Sequence, residues 1–168
     1  DRLYRLAGPA GGYAAVGDSF PISRLIALLG RMEKEGNFPD VVLFPLNLSD
    51  MPAVSAVQGS FSRDKVLSKV QMGPAWWWCD HAFGISYALD CISSFGVLSA
   101  FIGMTTDSRS PLSFVRHDYF RRILTSYLVK KSEEEEWGLS EEELGRILCR
   151  ICFENANEKI NPRKEEDK

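Results

Sequence analysis

The sequence predicts an α/β protein with a parallel sheet, on three observations. Three segments, residues 41–46, 69–73 and 100–106, are strand candidates, and the first is a continuous apolar run of the kind that is buried on both faces. After each of them comes a polar stretch and then a segment with helical periodicity. The connections are short, as in folds where strands and helices alternate. The pattern alone does not distinguish a barrel from an open sheet.

Helices are predicted between and after these strands. The first begins near Ile22 and ends at Gly36, and shorter ones cover residues 52–58 and 85–95. A long helix follows Pro111 and has apolar residues at positions 120, 123, 124, 127 and 128. Ser140 and Glu143 form a capping-box pattern that begins a last helix, which buries Leu144, Ile147, Leu148 and Ile151.

Composition bounds the class of protein. The 168 residues are 45% hydrophobic and 26% charged, with a formal net charge of −3, which is typical of a globular domain. Basic residues are dispersed except at residues 116–122, so a nucleic-acid-binding face is not expected. No apolar run approaches the roughly 18 residues of a membrane helix, and no signal peptide is recognisable. We expect a cytoplasmic protein that does not contact the membrane.

The four cysteines are too few to form a disulfide framework and are expected to be reduced. Cys149 and Cys152 have the Cys-x-x-Cys spacing of redox and zinc motifs. They lie within an amphipathic helix, with no second pair and no preceding strand. We therefore interpret them as core residues.

The sharpest chemical motif is Asp107-Ser108-Arg109, placed where the third strand candidate ends. A carboxylate in this position can bind a divalent metal or transfer a proton, and a guanidinium can stabilise an oxygen on which negative charge develops. Side chains two residues apart in an extended segment face the same side, so both could contact one ligand. The alternative is an ion pair at the strand end or a helix-capping aspartate.

Three successive indoles, Trp76, Trp77 and Trp78, follow the second strand candidate. An exposed indole could pack on the C–H face of a sugar, whereas a buried one fills the core. Alternation along an extended chain would place Trp76 and Trp78 on one side and Trp77 on the other. At least two of the three are expected to serve the core.

Two basic residues at the start of the long helix, Arg116 and His117, are candidates for binding an anionic substrate group. The chain has two histidines, and neither His81 nor His117 has a partner at metal-ligand spacing. A lone histidine is more often a hydrogen-bonded surface residue than a ligand.

Several of these segments together resemble the carboxyl-terminal third of uronate isomerases. The resemblance is carried by KVQMGPAWWWCDH, FIGMTTDSRSPLSFVRHDYFRRIL and ICFENAN, and also by LAGPAGGYAAVGD and VVLFPLN. It covers the chain from Leu6 to about Asn157. The Pro74-Ala75 and Trp78-Cys79 pairs depart from the pattern that is usual in the family, which could alter substrate preference.

The resemblance implies the carboxyl-terminal part of a (β/α)8 TIM barrel of the amidohydrolase superfamily, with about three parallel strand–helix units and a terminal helix in residues 1–157. Residues 158–168 would be a polar, disordered tail. The implied reaction interconverts D-glucuronate with D-fructuronate, or D-galacturonate with D-tagaturonate, by proton transfer through an enediol. Asp107 would bind the metal and act as a base, and Arg109 would stabilise the enediolate oxygen.

A complete barrel typically takes about 250 residues, and the chain begins with Asp1, so we expect an incomplete enzyme. The family's other ligands for a divalent metal ion, expected to be zinc, would lie in a missing amino-terminal part of the barrel. A homo-oligomer that acts on a small hexuronate is the expected assembly. A metal-dependent hydrolase of the same superfamily and a noncatalytic domain are the alternatives.

Overall fold

The computed structural model describes residues 2–8, 21–62, 69–105, 110–134 and 137–161, without the side chains of Leu3, Tyr4 and Trp77. Its regular elements are helix α1 (Arg2–Ala7), α2 (Ile22–Lys34), strand β1 (Val41–Leu43), α3 (Met51–Ser60), β2 (Val70–Met72), α4 (Ala82–Phe95), α5 (Val115–Glu134), α6 (Glu141–Cys149) and α7 (Asn155–Ile160). This arrangement confirms a partial α/β fold that is rich in helix.

Helix α2 ends as the sequence predicts, at a glycine. Gly36 has a φ of 76°, in the left-handed region that favours glycine. Its N–H donates to the carbonyl of Glu33, and the N–H of Asn37 donates to that of Met32. These two bonds form a Schellman motif, which turns the chain out of the helix toward β1.

The two strands form a parallel pair, in which Val41 lies opposite Val70 and Leu43 opposite Met72. All three residues of β2 are buried, as expected of a strand covered on both faces. The observed strand β1 covers only residues 41–43 of the predicted strand 41–46. Its three residues are only partly buried, whereas burial on both faces was expected. Among the described residues, β1 pairs with β2 alone.

The third predicted strand, residues 100–106, does not form a strand over its described part. Leu98–Ala100 is a 3-10 turn and residues 101–105 have no regular structure. A side chain, and not a neighbouring strand, bonds to the backbone here: Gln71 Nε2 donates to the carbonyl of Ala100 at 3.2 Å. Gly103, with a φ of 86°, further interrupts the extended backbone.

The main core lies between α3, β2, α4 and α5. Helix α4 buries Ile85, Ala88, Leu89 and Ile92, and α5 buries Phe120, Leu124, Tyr127 and Leu128. Met72 and Ile151 complete it from β2 and the last helix. A smaller cluster joins α2 to α3 and β2 through Leu29, Val57, Phe61 and Val70.

The last helix begins at the predicted capping box, in which the Ser140 hydroxyl accepts from the N–H of Glu143 and the Glu143 side chain bonds back to Ser140. A π-helical turn, Arg150–Glu154, joins α6 to α7. The helix therefore continues to Ile160, three positions past the expected domain boundary. That boundary stays a prediction, and residues 162–168 lie outside the described part.

The core assignment for the Cys-x-x-Cys pair is wrong, since Cys149 and Cys152 are both exposed. Each follows a residue of the core-facing row, Leu148 and Ile151, and successive helix residues point about 100° apart. Both thiols are free in the structure.

Candidate functional site at the ends of the strands

The loops that follow β1 and β2 meet at one end of the sheet. The N–H of Gly73 donates to the carbonyl of Leu43 at 2.7 Å, which extends the pairing by one residue. A Cβ on Gly73 would lie 2.7 Å from the ring of Phe44. Glycine thus lets the Phe44 ring cross this end of the sheet, which is where parallel α/β folds place their ligand sites.

Trp76 connects the loop that follows β2 to the loop that follows β1. Its indole N–H donates to the carbonyl of Pro45 at 3.1 Å. Its ring makes an edge-on contact with Phe44, with centroids 5.8 Å apart. Trp76 is partly buried, and these two contacts join it to the loop that follows β1.

The other two indoles differ from Trp76. Trp78 is 59% exposed, and the side chain of Trp77 lies outside the described residues. Trp77–Cys79 is a 3-10 turn, in which successive side chains rotate by about 120°. The expectation that Trp76 and Trp78 share one side is therefore wrong, because it assumed an extended chain.

An ion pair connects the loop between β2 and α4, residues 73–81 and here called the tryptophan loop, to the start of α5. Arg116 Nη1 lies 2.7 Å from Asp80 Oδ2, and the two side chains are 48% and 6% exposed, respectively. The predicted substrate-binding residue Arg116 thus contacts the tryptophan loop. Its partner Asp80 is not among the residues predicted from the sequence. The two lie 36 positions apart, and no local pattern announces such a pair.

His81 caps α4. Its Nδ1 accepts a hydrogen bond from the N–H of Gly84 at 3.2 Å, and its ring stacks on Phe83. This confirms the interpretation of His81 as a hydrogen-bonded residue. A Cβ on Gly84 would lie 2.1 Å from the carbonyl oxygen of Cys79, so the helix start is tightly packed on the tryptophan loop.

The predicted catalytic residues Asp107 and Arg109 lie outside the described residues. The chain is described again from Ser110, whose hydroxyl accepts from the N–H of Leu112 at 3.3 Å. This bond caps the 3-10 turn Pro111–Phe114, which continues into α5 at Val115. Arg116 is therefore joined through helical structure to the residue that follows Arg109.

His117 faces a different part of the molecule from Arg116. It lines a cavity of about 270 Å³ together with Met104, Phe120, Arg121 and Cys152. Adjacent residues of a helix point about 100° apart, which separates this cavity from the Asp80 contact. The structure does not bring His117 together with Trp76 or Trp78.

The cysteine near these features, Cys79, is a poor nucleophile. Burial raises the pKa of its thiol above its ordinary value. The thiol therefore stays protonated at neutral pH, and the thiolate is the reactive form. Cys79 instead donates from Sγ to the carbonyl of Leu46 at 3.6 Å, which again joins the two loops.

The described part of the chain contains no group of three or more His, Cys, Asp or Glu side chains that could hold a metal ion. The described residues thus do not fit a complete metal site. None of the described helices is long and apolar enough to cross a membrane.

Comparisons with known proteins agree over nearly the whole chain. The family model for glucuronate isomerase matches residues 1–159. The chain is 40% identical over 156 residues to the uronate isomerase of Clostridium acetobutylicum, which covers 93% of this chain and 33% of that protein. It is 41% identical over 158 residues to the uronate isomerase of Caldanaerobacter subterraneus subsp. tengcongensis, covering 94% and 34%.

The crystal structure of uronate isomerase from Thermotoga maritima is similar to this structure, with a TM-score of 0.75 and 26% sequence identity. The match covers 93% of this chain and 33% of that one. The chain thus spans about a third of the length of the relatives that it matches.

Proposed function

The chain belongs to the glucuronate isomerase family, and from this premise we propose that the complete gene product carrying it is a uronate isomerase. The reaction would convert D-glucuronate to D-fructuronate and D-galacturonate to D-tagaturonate. The observation that carries the proposal is the family match over residues 1–159. Relatives named uronate isomerase, about 40% identical over more than nine-tenths of the chain, support it.

The chain alone would not suffice for this activity. It corresponds to about a third of each relative, and we propose that the remaining strands of a (β/α)8 barrel come from an amino-terminal part. Residues 101–105 have no strand neighbour within the described part, and β1 has only one. Both would gain neighbours in a closed barrel.

Asp107 and Arg109 are the residues to which we assign the chemistry, by their resemblance to the family motif. In the open-chain aldose, a base removes the proton from C2 while the C1 carbonyl oxygen is protonated, which gives an enediol. Return of a proton to C1 and loss of the O2 proton then yield the 2-ketose. Asp107 would carry the proton, and Arg109 would stabilise the negative charge that develops on oxygen.

The substrate would contact the tryptophan loop and the start of α5. Trp78 is 59% exposed, and its indole would pack on sugar C–H groups, whereas Trp76 would shape the pocket as an anchor. Trp77 stays a candidate contact. The Arg116 guanidinium has five N–H donors, so those not directed at Asp80 could bind the uronate carboxylate. His117 would contribute only if the substrate reaches its cavity.

The metal requirement is also a proposal. Asp107 would supply one ligand to a divalent ion, expected to be zinc, and the other ligands would come from the amino-terminal part. Such an ion supplies Lewis acidity to a sugar oxygen. We assign no step to it, because the described residues hold no ligand group. The homo-oligomeric state and the cytoplasmic location expected from the sequence stay predictions.

A turnover assay tests the proposal. The complete gene product is incubated with a divalent metal and, separately, with D-glucuronate and D-galacturonate, and the ketouronate is measured by NMR. Formation of D-fructuronate or D-tagaturonate is the expected result. Hydrolysis of a lactone or ester with no change in either hexuronate would instead favour a hydrolase. No reaction with any of these substrates would favour a noncatalytic domain.

A further inference from the structure

The Asp80–Arg116 ion pair is a side-chain contact between two segments near the proposed site. One segment is the tryptophan loop, and the other is the start of α5, which continues from the 3-10 turn capped by Ser110. The Arg116 Nη1 and Asp80 Oδ2 atoms lie 2.7 Å apart, which is a close ion pair. The Asp80 side chain is only 6% exposed, and a carboxylate so far removed from water needs a partner.

Asp80 is the fixed member of the pair. The N–H of Cys79 donates to the carbonyl of Trp76 at 3.0 Å, and the N–H of His81 donates to that of Cys79 at 2.9 Å. The packing of Gly84 on the Cys79 carbonyl leaves no room for even a methyl group. The backbone on both sides of Asp80 is therefore held in place, which fixes its carboxylate.

The start of α5 depends on this contact. Leu112, Phe114 and Val115 are 86%, 66% and 68% exposed, so the core does not hold this part of the chain by apolar packing. The first fully buried residue of α5 is Phe120. The ion pair of Arg116 with Asp80 therefore holds the start of α5 in place before its first fully buried residue.

A displacement of Arg116 would be passed to Ser110. The N–H of Ser113 donates to the carbonyl of Ser110 at 3.0 Å, and the 3-10 turn runs into α5 without a break. Helical hydrogen bonds thus connect Arg116 to the residue next to Arg109, and a change at one end moves the other.

We propose that Asp80 is a positioning residue for the isomerisation: by holding Arg116, it fixes the start of α5 and the guanidinium proposed to bind the uronate carboxylate relative to the tryptophan loop. This inference rests on the proposed function. Asp80 would not itself contact the reacting atoms. Its effect reaches them through Arg116 and the turn that follows Arg109.

A second ion pair to α5 provides a control. Asp90 of α4 lies 2.9 Å from Lys131 of α5 and accepts a hydrogen bond from Tyr127 at 3.0 Å. This contact joins α4 to α5 and lies two turns along α4 from the tryptophan loop. Asp90→Asn therefore removes an aspartate that is ion-paired to α5, at a more exposed position, without disturbing the proposed site.

The experiment measures kcat, KM and unfolding by urea for the complete gene product and its Asp80→Asn, Asp80→Glu, Arg116→Gln, double Asp80→Asn/Arg116→Gln and Asp90→Asn variants. We expect Asp80→Asn to lower kcat/KM by about 10²-fold, the order of loss that a misplacement of about 1 Å can cause. Asp80→Glu restores part of that loss. Asp90→Asn lowers stability but leaves kcat and KM unchanged.

The double variant decides whether Asp80 acts through Arg116. If it does, Asp80→Asn has little further effect once Arg116 is Gln, because residues that act as a unit are not additive. Independent effects of the two changes would overturn the proposal, and so would full turnover by Asp80→Asn or an equal loss in Asp90→Asn. Should Asp80→Asn not fold, Asp80→Glu and Arg116→Gln provide the same comparison.

Failure of the proposed function gives a different result. If the unvaried gene product does not isomerise either hexuronate, the isomerase proposal and the catalytic part of this inference are both overturned. The coupling of residues 80 and 116 in urea unfolding, together with the tryptophan emission of each variant, then still reports whether the ion pair joins the two loops.

Discussion

Trp76 donates its indole N–H to the carbonyl oxygen of Pro45, 3.1 Å away, and so ties together the loops that follow the two strands. The same end of the sheet holds the contact of Phe44 with Gly73 and the ion pair of Asp80 with Arg116. The candidate site is thus an assembly of loops that fix one another.

Trp76→Phe removes the donor and leaves the carbonyl of the buried Pro45 without this bond. We expect a loss of about 1–2 kcal/mol in the free energy of unfolding, the usual penalty for an unsatisfied buried group. Trp78→Phe, at a position that is 59% exposed, is the control and should change stability little. Urea unfolding followed by circular dichroism measures both. Equal losses in the two variants would contradict the anchoring role of Trp76.

Gly73→Ala should destabilise the protein because its Cβ would lie 2.7 Å from the Phe44 ring. Overpacking of this kind typically costs about 1–3 kcal/mol. Gly30→Ala is the matched control: it lies within α2, with nothing within 4 Å of an added Cβ, and should stabilise the helix by about 0.5–1 kcal/mol. Thermal unfolding of both variants shows whether each change raises or lowers the stability of the protein. A neutral Gly73→Ala would show that the ring moves aside at little cost.

Asn155 ties the last helix to the segment that leads toward Asp107. Its Nδ2 donates to the carbonyls of Ser99 and Phe101, each at 2.8 Å, and the residue is fully buried. Asn155→Ala leaves both carbonyls without that donor and is expected to cost about 2 kcal/mol or more. The control is Asn161→Ala at an exposed position. Urea unfolding gives the denaturation midpoint of each variant. Similar midpoints for Asn155→Ala and Asn161→Ala would show that the Asn155 side chain does not stabilise this contact.

Tyr127 makes stability depend on pH in the alkaline range. Burial, as the largest cause, raises its pKa from 10.0 to about 12. A raised pKa favours the neutral form in the folded state, so this stabilisation is complete below pH 10 and is lost as the pH rises toward 12. The shift corresponds to roughly 2–3 kcal/mol. Urea unfolding between pH 8 and 12 should show a smaller alkaline loss for Tyr127→Phe, and identical pH profiles would contradict the assignment.

Local signals allowed much of the fold to be predicted. The apolar run of residues 41–46 indicated a strand, of which residues 41–43 form β1. The glycine at position 36 indicated the end of α2, and the pair Ser140 and Glu143 indicated the start of α6. Each of these features depends on residues within one turn or one short strand. Such features can be predicted from the sequence because the residues that interact are close to one another along the chain.

The features that were missed depend on distant residues. Residues 101–105 have the composition of a strand, but a strand forms only when a neighbour supplies the ladder, and here the Gln71 and Asn155 side chains bond to the carbonyls next to and within this segment. Asp80 was not predicted, because its partner Arg116 lies 36 positions further along the chain, on α5. The proposed roles of Asp107 and Arg109 stay predictions, since both residues lie outside the described part.

The most direct measurement is turnover of D-glucuronate and D-galacturonate by the complete gene product and its Asp107→Asn and Arg109→Met variants, with a divalent metal present. We expect the unvaried protein to form the ketouronate. We also expect losses in kcat of about 10²–10⁴-fold for Asp107→Asn and about 10²–10³-fold for Arg109→Met. Undiminished turnover in either variant would contradict the role assigned to that residue, and no turnover by the unvaried protein would contradict the isomerase proposal itself.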